Sequence, residues 1–168
     1  MAKAKSEQVV EPSFSEETLF LGSYEHTLDE KGRITFPVTF RSSIERSGDA
    51  EVVLTNFVCD GARCLDGFGV SVWRDFERKV SEKSRFDPKL RSLENYYIAR
   101  AALCSLDAAG RINIPQHLRQ YAGLERNVTF TKSLRGFRVW DSRVWQMVFD
   151  SAESSLLEDP SVFAEVDL

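Results

Sequence analysis

The sequence contains few residues that could hold a metal ion or form disulfides. Only three cysteines, Cys59, Cys64 and Cys104, and two histidines, His26 and His117, occur among the 168 residues. An odd number of cysteines argues against a disulfide framework, and these spacings do not match the closely spaced ligand sets of zinc sites. We therefore predict reduced thiols, no metal site and no cofactor.

Long apolar runs are also missing. No stretch approaches the roughly 20 apolar residues that a helix needs to cross a bilayer. The N-terminal residues include two lysines, but no apolar core follows them, so they do not match a signal peptide. These features predict a cytoplasmic protein that is not bound to a membrane.

Sequence signatures of enzymes are missing as well. The chain has no P-loop, no dinucleotide-binding glycine pattern and no nucleophile elbow. Asp60 and Asp66 lie close together, but the stretch 59–67 is rich in Gly and Asp and predicts a loop, in which carboxylates commonly form turns. We predict that the protein is not an enzyme.

Acidic residues are concentrated near the two ends of the chain. The formal net charge is −4, yet residues 150–168 contain six carboxylates and no basic side chain. Residues 1–18 are also net acidic, so the segment 19–149 has a net charge of +4. This mildly basic segment permits contact with nucleic acid without requiring it. We expect the N-terminal extension, 1–18, and the acidic tail, 156–168, to be poorly ordered.

One motif occurs twice. Residues 28–41 read LDEKGRITFPVTFR, and residues 106–119 read LDAAGRINIPQHLR. The Leu, Asp, Gly, Arg, Ile, Pro and final Arg are identical at one constant offset. Two copies are too few for a solenoid and indicate a duplication that gave two related halves.

Each copy of the motif predicts a tight turn between two strands. Asp29 and Asp107 begin the turns, where a carboxylate can accept backbone N–H bonds. Gly32 and Gly110 end them, where a positive φ is expected. We expect a hairpin in each half. The paired strands are predicted at 20–28 with 33–36, and at 102–106 with 111–114.

The remaining elements follow from strand patterns and helix signals. The proline after each motif predicts short helices at about 38–46 and 116–121. A further strand pair is predicted in each half, at 51–56 with 68–72 and at 126–132 with 137–140. Later helices begin near Trp73, after Asp141, and at Asp87-Pro88.

The predicted organisation is a first half at 19–86, a connecting helix at 87–101 and a second half at 102–155. The connecting helix has two interpretations, a packed linker or a surface for another subunit, and the sequence favours neither. The fold class is α+β.

The duplicated motif resembles the MraZ family. The opening Phe20-Leu21-Gly22 and the segment 118–124, LRQYAGL, are also similar to that family, and the resemblance covers about residues 19–150. It implies tandem AbrB-like swapped-hairpin half-units that interleave their strands in a small barrel-like core with flanking helices. It also implies a cytoplasmic, nucleoid-associated transcriptional regulator that assembles into a ring of identical subunits.

The resemblance further implies a partner and a set of contact residues. The partner is double-stranded DNA, at promoter repeats upstream of the cell-division and cell-wall operon, the protein's own gene included. The family's DNA-contacting pattern, Asp-x-x-x-Arg, corresponds to Asp29 with Arg33 and to Asp107 with Arg111. Arginine suits both phosphate contact and guanine recognition, while we expect the aspartates, with Gly32 and Gly110, to shape the turns.

Three more basic residues are candidates for DNA contact. Lys31 and Arg41 are expected to add positive charge beside Arg33, and Arg119 is expected beside Arg111. Because Glu30-Lys31 stands in the first copy where Ala108-Ala109 stands in the second, we expect the first turn to make more phosphate contacts.

Two alternatives stay open from the residues themselves. The two arginines could form local ion pairs with the aspartates that only stabilise the turns. The hairpins could instead bind a partner protein, as in antitoxins that share this half-unit.

Overall fold

The computed structural model of the chain describes residues 21–83 and 86–166, so the expected N-terminal extension at 1–18 lies outside the described residues. The strands in this part of the chain are β1 (Ser23–Thr27), β2 (Arg33–Thr35), β3 (Glu51–Cys59), β4 (Ala62–Gly69), β5 (Ala102–Ser105), β6 (Arg111–Asn113), β7 (Asn127–Lys132) and β8 (Phe137–Asp141). The helices are α1 (Val38–Arg46), α2 (Val70–Ser81), α3 (Pro88–Leu93), α4 (Gln116–Ala122), α5 (Ser142–Glu158) and α6 (Ser161–Glu165). A π-helical turn at Glu94–Ile98 continues α3. The predicted α+β class is confirmed.

The strands on either side of each motif turn pair across the halves. β1 pairs with β7 and β5 pairs with β3, while β2 and β6 pair with each other in a separate two-stranded ribbon. The predicted pairing of 20–28 with 33–36 and of 102–106 with 111–114 is therefore wrong, because each of these strands pairs with a strand of the other half. This exchange confirms the expected swapped arrangement, in which both interleaved halves come from one chain.

A pseudo-two-fold axis relates the two halves. The order of the curled six-stranded sheet, β1-β7-β8-β4-β3-β5, reads the same from either edge when each strand is replaced by its counterpart in the other half. Ile34 pairs with Ile112 at the centre of the ribbon, which lies on the same axis. A single chain thus builds the interior that a symmetric pair of half-units would build.

The main core contains residues from both halves. Ile34 and Ile112 are each 1% exposed, whereas Arg33 and Thr35 on either side of Ile34 are more exposed. This alternation is the period of two that one face of a β-strand produces. Phe36 follows β2, and its ring lies 5.1 Å from the ring of Phe137 in the second half. Apolar burial therefore joins the ribbon to the sheet.

The prediction of a loop at 59–67 is wrong. Its residues belong to β3 and β4, which are joined by a turn at Asp60-Gly61 with φ values of 52° and 75°. Asp-Gly between two strands is a strong signal for a tight hairpin turn, and it was present in the sequence. The strand predicted at 68–72 also ends early, because β4 ends at Gly69 and α2 begins at Val70.

The aspartate that sequence analysis placed in this loop has a different environment. Asp66 lies in β4, is 7% exposed, and accepts a hydrogen bond from the Tyr97 hydroxyl at 2.8 Å. Arg138 of the second half lies opposite Asp66 in the β4–β8 pairing and donates from Nε at 3.3 Å. Burial raises the pKa of Asp66. Asp66 is thus a buried link between the halves and not a turn former.

The predicted helices are present, although α2 begins at Val70 and not near Trp73, and the connecting helix predicted at 87–101 ends at Ile98. Asp141 and Asp87 begin α5 and α3, and each accepts a backbone N–H two residues later, at 3.1 and 2.9 Å. The acidic tail, expected to be poorly ordered from residue 156, is instead helical as far as Glu158 and again at Ser161–Glu165. None of the described helices has the length and apolar character that a membrane crossing requires.

Gly67 supplies a test of the packing at the pseudo-two-fold axis. A Cβ at Gly67 would lie 2.3 Å from atoms of the Phe137 ring, which is fully buried. We expect Gly67→Ala to lower the free energy of unfolding by about 2–3 kcal/mol, as overpacking does in other cores. Urea denaturation measures this change.

Gly61→Ala is the matched control for this prediction. A Cβ at Gly61 would meet no atom within 4 Å, so the cost is confined to its positive φ of 75° and should be about 1 kcal/mol. Equal losses of stability in the two variants would contradict the packing at Gly67.

Candidate nucleic-acid interface

Side-chain and backbone hydrogen bonds build both motif turns in the same way. Oδ1 of Asp29 accepts the backbone N–H groups of Lys31 at 2.9 Å and Arg33 at 2.8 Å. Oδ1 of Asp107 accepts the corresponding pair, including Arg111 N–H, at 2.9 Å. Each aspartate carbonyl also accepts the N–H of the glycine three residues later. One carboxylate therefore fixes the backbone of a whole turn.

The same carboxylates also hold the arginines that follow the turns. Nε of Arg33 donates to Oδ2 of Asp29 at 2.8 Å, and Nε of Arg111 donates to Oδ2 of Asp107 at 2.9 Å. The two arginine side chains are still 38% and 37% exposed. Because the ion pairs use Nε, the terminal Nη groups stay available, and no bond from them to another described residue is present.

Hydrogen bonding changes the ionisation of both aspartates. The Arg33 backbone N–H, assisted by the Arg33 guanidinium, lowers the pKa of Asp29 below its usual value. The Arg111 backbone N–H and guanidinium lower the pKa of Asp107 in the same way. Both carboxylates are therefore ionised, and both turns are intact, throughout the neutral range.

The ribbon brings the two arginines onto one face. Arg33 lies opposite Asn113, and Arg111 lies opposite Thr35, while the isoleucines between them point into the core. The two arginines are thus diagonal neighbours, with Cα atoms roughly 8 Å apart by the standard spacings of antiparallel strands. Arg33, Thr35, Arg111 and Asn113 form the outer face of the ribbon.

Two of these outer residues were not among the sequence-predicted site residues. Thr35 and Asn113 are both exposed, and both side chains can donate and accept hydrogen bonds. Asparagine can make a bidentate contact with adenine in the major groove. The alternation of apolar and polar residues across Arg33-Ile34-Thr35 was a signal that could have identified them.

The expected positions of Arg41 and Arg119 are interchanged. A Cβ on Gly32 would lie 2.9 Å from Cζ of Arg119, and a Cβ on Gly110 would lie 2.1 Å from Nη1 of Arg41. Arg119 therefore lies at the first turn, where its Nε donates to the Ile114 carbonyl at 2.9 Å, and Arg41 lies at the second turn. Strand exchange causes this, because it places the helix of each half beside the turn of the other.

The surroundings of the two turns differ in charge. Lys31 is exposed at the tip of the first turn. The cleft beside it is lined by two basic residues, Arg119 and Arg126, and by three carboxylates, Asp29, Glu30 and Glu125. The corresponding cleft at the second turn contains one basic residue, Arg41, with three carboxylates, Glu45, Asp49 and Asp107. No cluster of three His, Cys, Asp or Glu side chains suited to a metal ion occurs within 21–83 and 86–166.

These features define a class: a duplicated α+β protein whose exchanged halves present an arginine-bearing β-ribbon. The family model described as "MraZ protein, putative antitoxin-like" matches residues 19–95 and 97–162. The chain therefore belongs to the MraZ family, as the sequence resemblance predicted.

Several curated relatives agree with this assignment. A protein of Roseiflexus castenholzii named "Transcriptional regulator MraZ" is 37% identical, over 88% of this chain and 95% of its own length. Proteins with the same name from Nitrosomonas eutropha and Limosilactobacillus fermentum are 35% and 31% identical, over 80% and 81% of this chain and 88% and 90% of their own lengths.

The ionisation of Asp29 and Asp107 gives a testable pH dependence. Because folding lowers both pKa values, these carboxylates stabilise the fold above the pKa of an unfolded aspartate, about 3.9. That contribution is lost as the pH falls through the lower folded pKa. In an NMR titration, we expect the amide signals of Arg33 and Arg111 to shift with midpoints below the ordinary aspartate value.

Asp29→Asn and Asp107→Asn are the controls for this titration. Each removes the titrating carboxylate from one turn, so the acid transition of the arginine amide that follows it should disappear, while the other turn still titrates. Midpoints at or above the ordinary aspartate value would contradict the hydrogen-bonding pattern of the turns.

Proposed function

We propose that this protein is a DNA-binding transcriptional regulator whose ribbon inserts its outer face into the major groove of double-stranded DNA. The observation that carries this proposal is the placement of Arg33 and Arg111 on one exposed face of a two-stranded ribbon. A β-ribbon fits the major groove, and arginine recognises both guanine edges and phosphates. The names of the curated relatives support the same function.

The aspartates act as positioning residues for this contact. Asp29 and Asp107 hold the Nε side of each guanidinium, which leaves the Nη side directed at the nucleic acid. A guanidinium that is already oriented loses less side-chain entropy when it binds. The ion pairs considered as an alternative to DNA contact are therefore present and compatible with it.

The remaining basic residues are assigned to the DNA backbone. Lys31 and Arg119 flank the first turn, and Arg41 flanks the second. Contacts of lysine and arginine with phosphates position a protein on the duplex without reading its sequence. Because the first turn has more basic neighbours, it is expected to make more of these contacts.

Self-association would compensate for the modest charge of a single ribbon. Residues 19–149 carry a net charge of +4, which favours weak binding by one copy. Several ribbons on one DNA raise the effective concentration of each. We infer a ring of identical subunits, acting in the cytoplasm at the nucleoid without catalysis, on promoter repeats upstream of the cell-division and cell-wall operon that includes its own gene.

Replacing the ribbon arginines tests the proposal. We expect Arg33→Ala and Arg111→Ala each to weaken DNA binding roughly tenfold or more, since a bidentate arginine contact contributes about 1–3 kcal/mol. Each loss should also reduce the slope of log affinity against log salt by about 0.9 if a phosphate contact is removed. Mobility-shift assays over a salt series measure both effects.

Lys132→Ala is the matched control, because Lys132 is an exposed basic residue at the end of β7 that lies farther from the first turn. Its DNA affinity should equal that of the wild type, and circular dichroism should show that all three variants are folded. Unchanged affinity in both ribbon variants would refute the residue assignment. Salt-independent capture of a protein partner through the ribbon would instead favour the antitoxin-type alternative.

The DNA sites should occur as a series. If neighbouring subunits meet the same face of the duplex, footprinting of the protein's own upstream region should show protected sites repeated at about 10 bp, one helical turn. Deleting one repeat should weaken binding at the others, because fewer ribbons would then be engaged at once. A single isolated site, occupied by one copy, would contradict this arrangement.

A further inference from the structure

The sequence correspondence between the two halves also includes their outer helices, which lie outside the duplicated turn motif. Trp73 of α2 corresponds to Trp145 of α5, and at the same offset Asp87-Pro88 corresponds to Asp159-Pro160. In the first half, Asp87-Pro88 begins α3, and Asp159-Pro160 likewise precedes α6. The two outer layers therefore derive from the same helix–Asp-Pro–helix unit.

In the first half, this unit covers its own apolar face. The segment that follows Asp87-Pro88 folds back over α2, so that Tyr97 stacks on Trp73 at 5.8 Å and meets the Phe76 ring at 5.6 Å. Tyr97 is only 9% exposed. In the first half, the apolar face of the outer helix is therefore covered by a second apolar segment.

In the second half, the described residues provide no such cover. Trp145 of α5 packs on Trp140 at 5.6 Å, but the helix then continues with every residue from 149 to 158 exposed. All of α6 is exposed too. We define the arm as residues 147–166; its exposed apolar side chains include Met147, Phe149, Leu156, Leu157, Val162 and Phe163.

Charge decides which surface can cover the arm. Residues 150–168 carry six carboxylates and no base, so two arms packed together would repel each other. The surface of α2 and α3 has the opposite character: Arg74, Lys83, Lys89 and Arg91 are exposed and form no ion pair with another described residue. Phe86, which is 86% exposed, adds an apolar side chain to this basic surface.

We propose that the arm of one copy docks on the α2–α3 surface of a second copy. This identifies the contact for the self-association inferred above, on which it rests. The two surfaces are different, so the contact is head-to-tail, and its repetition either closes into a ring or extends into a filament. Trp73 of α2 packs on the face of the sheet away from the ribbon. Trp145 of α5 packs on Trp140, which faces the same side because its neighbour Val139 points into the ribbon-side core. Docking on these helices therefore leaves the ribbon accessible.

Single-surface variants of the full chain test the contact. Leu156→Asp alters the arm, and the double variant Lys89→Glu with Arg91→Glu alters the acceptor. Light scattering at micromolar concentration should show each variant shifted toward the monomer, with association weakened roughly tenfold or more, as at interface hot spots. Val38→Asp is the control, because Val38 is 64% exposed at the start of α1, a helix that packs on the ribbon side of the sheet and belongs to neither surface, and it should assemble like the wild type.

Mixing the two variants distinguishes head-to-tail docking from other contacts. Each variant keeps one intact surface, so an equimolar mixture should form dimers and nothing larger. Wild-type assembly by either variant, or a mixture that stays monomeric, would overturn the proposed contact. A monomeric wild type would overturn self-association as well. DNA binding by the ribbon is measured separately in the mobility-shift assay, so that proposal can be tested independently of the contact.

Discussion

The exchange of β2 and β6 between the halves is the constraint on which the structure depends. The N–H of Ile114 donates to the Gly32 carbonyl at 2.8 Å, and the N–H of Phe36 donates to the Gly110 carbonyl at 2.9 Å. Each turn is therefore bonded to backbone from the other half. Since Ile34 and Ile112 are buried beneath the same ribbon, neither half can complete its core or its motif turn alone.

This exchange gives the turn aspartates their full effect. A short loop fixed only by local bonds would still move relative to the rest of the protein, and an arginine attached to it would be poorly positioned. Here the turn that Asp29 fixes is joined to β6, and the turn that Asp107 fixes is joined to β2. The exposed guanidinium groups consequently project from a rigid, doubly anchored ribbon, which is the pre-organisation that tight recognition requires.

The sequence predicted what is local and missed what the exchange determines. Both turns, the helix beginnings at Asp87 and Asp141, and the α+β class follow from nearby residues. Strand partners are non-local, so the hairpin pairing and the neighbours of Arg41 and Arg119 were placed in the wrong half. The loop predicted at 59–67 is a different kind of error. Asp60-Gly61 is a local hairpin signal, but Gly and Asp residues such as those around it are typical of longer loops as well.

Duplication within one chain allows the two faces of the sheet to diverge in different ways. A dimer of identical half-units would have to keep both outer faces the same, whether that suited assembly or not. In this chain, the residues near the pseudo-two-fold axis keep the symmetry, with Ile34 opposite Ile112. The outer layers depart from it: Tyr97 covers α2, whereas α5 extends into an exposed, acidic and apolar arm. Symmetry is retained where one ribbon must form from two halves, and it is lost where a head-to-tail contact needs two unlike surfaces.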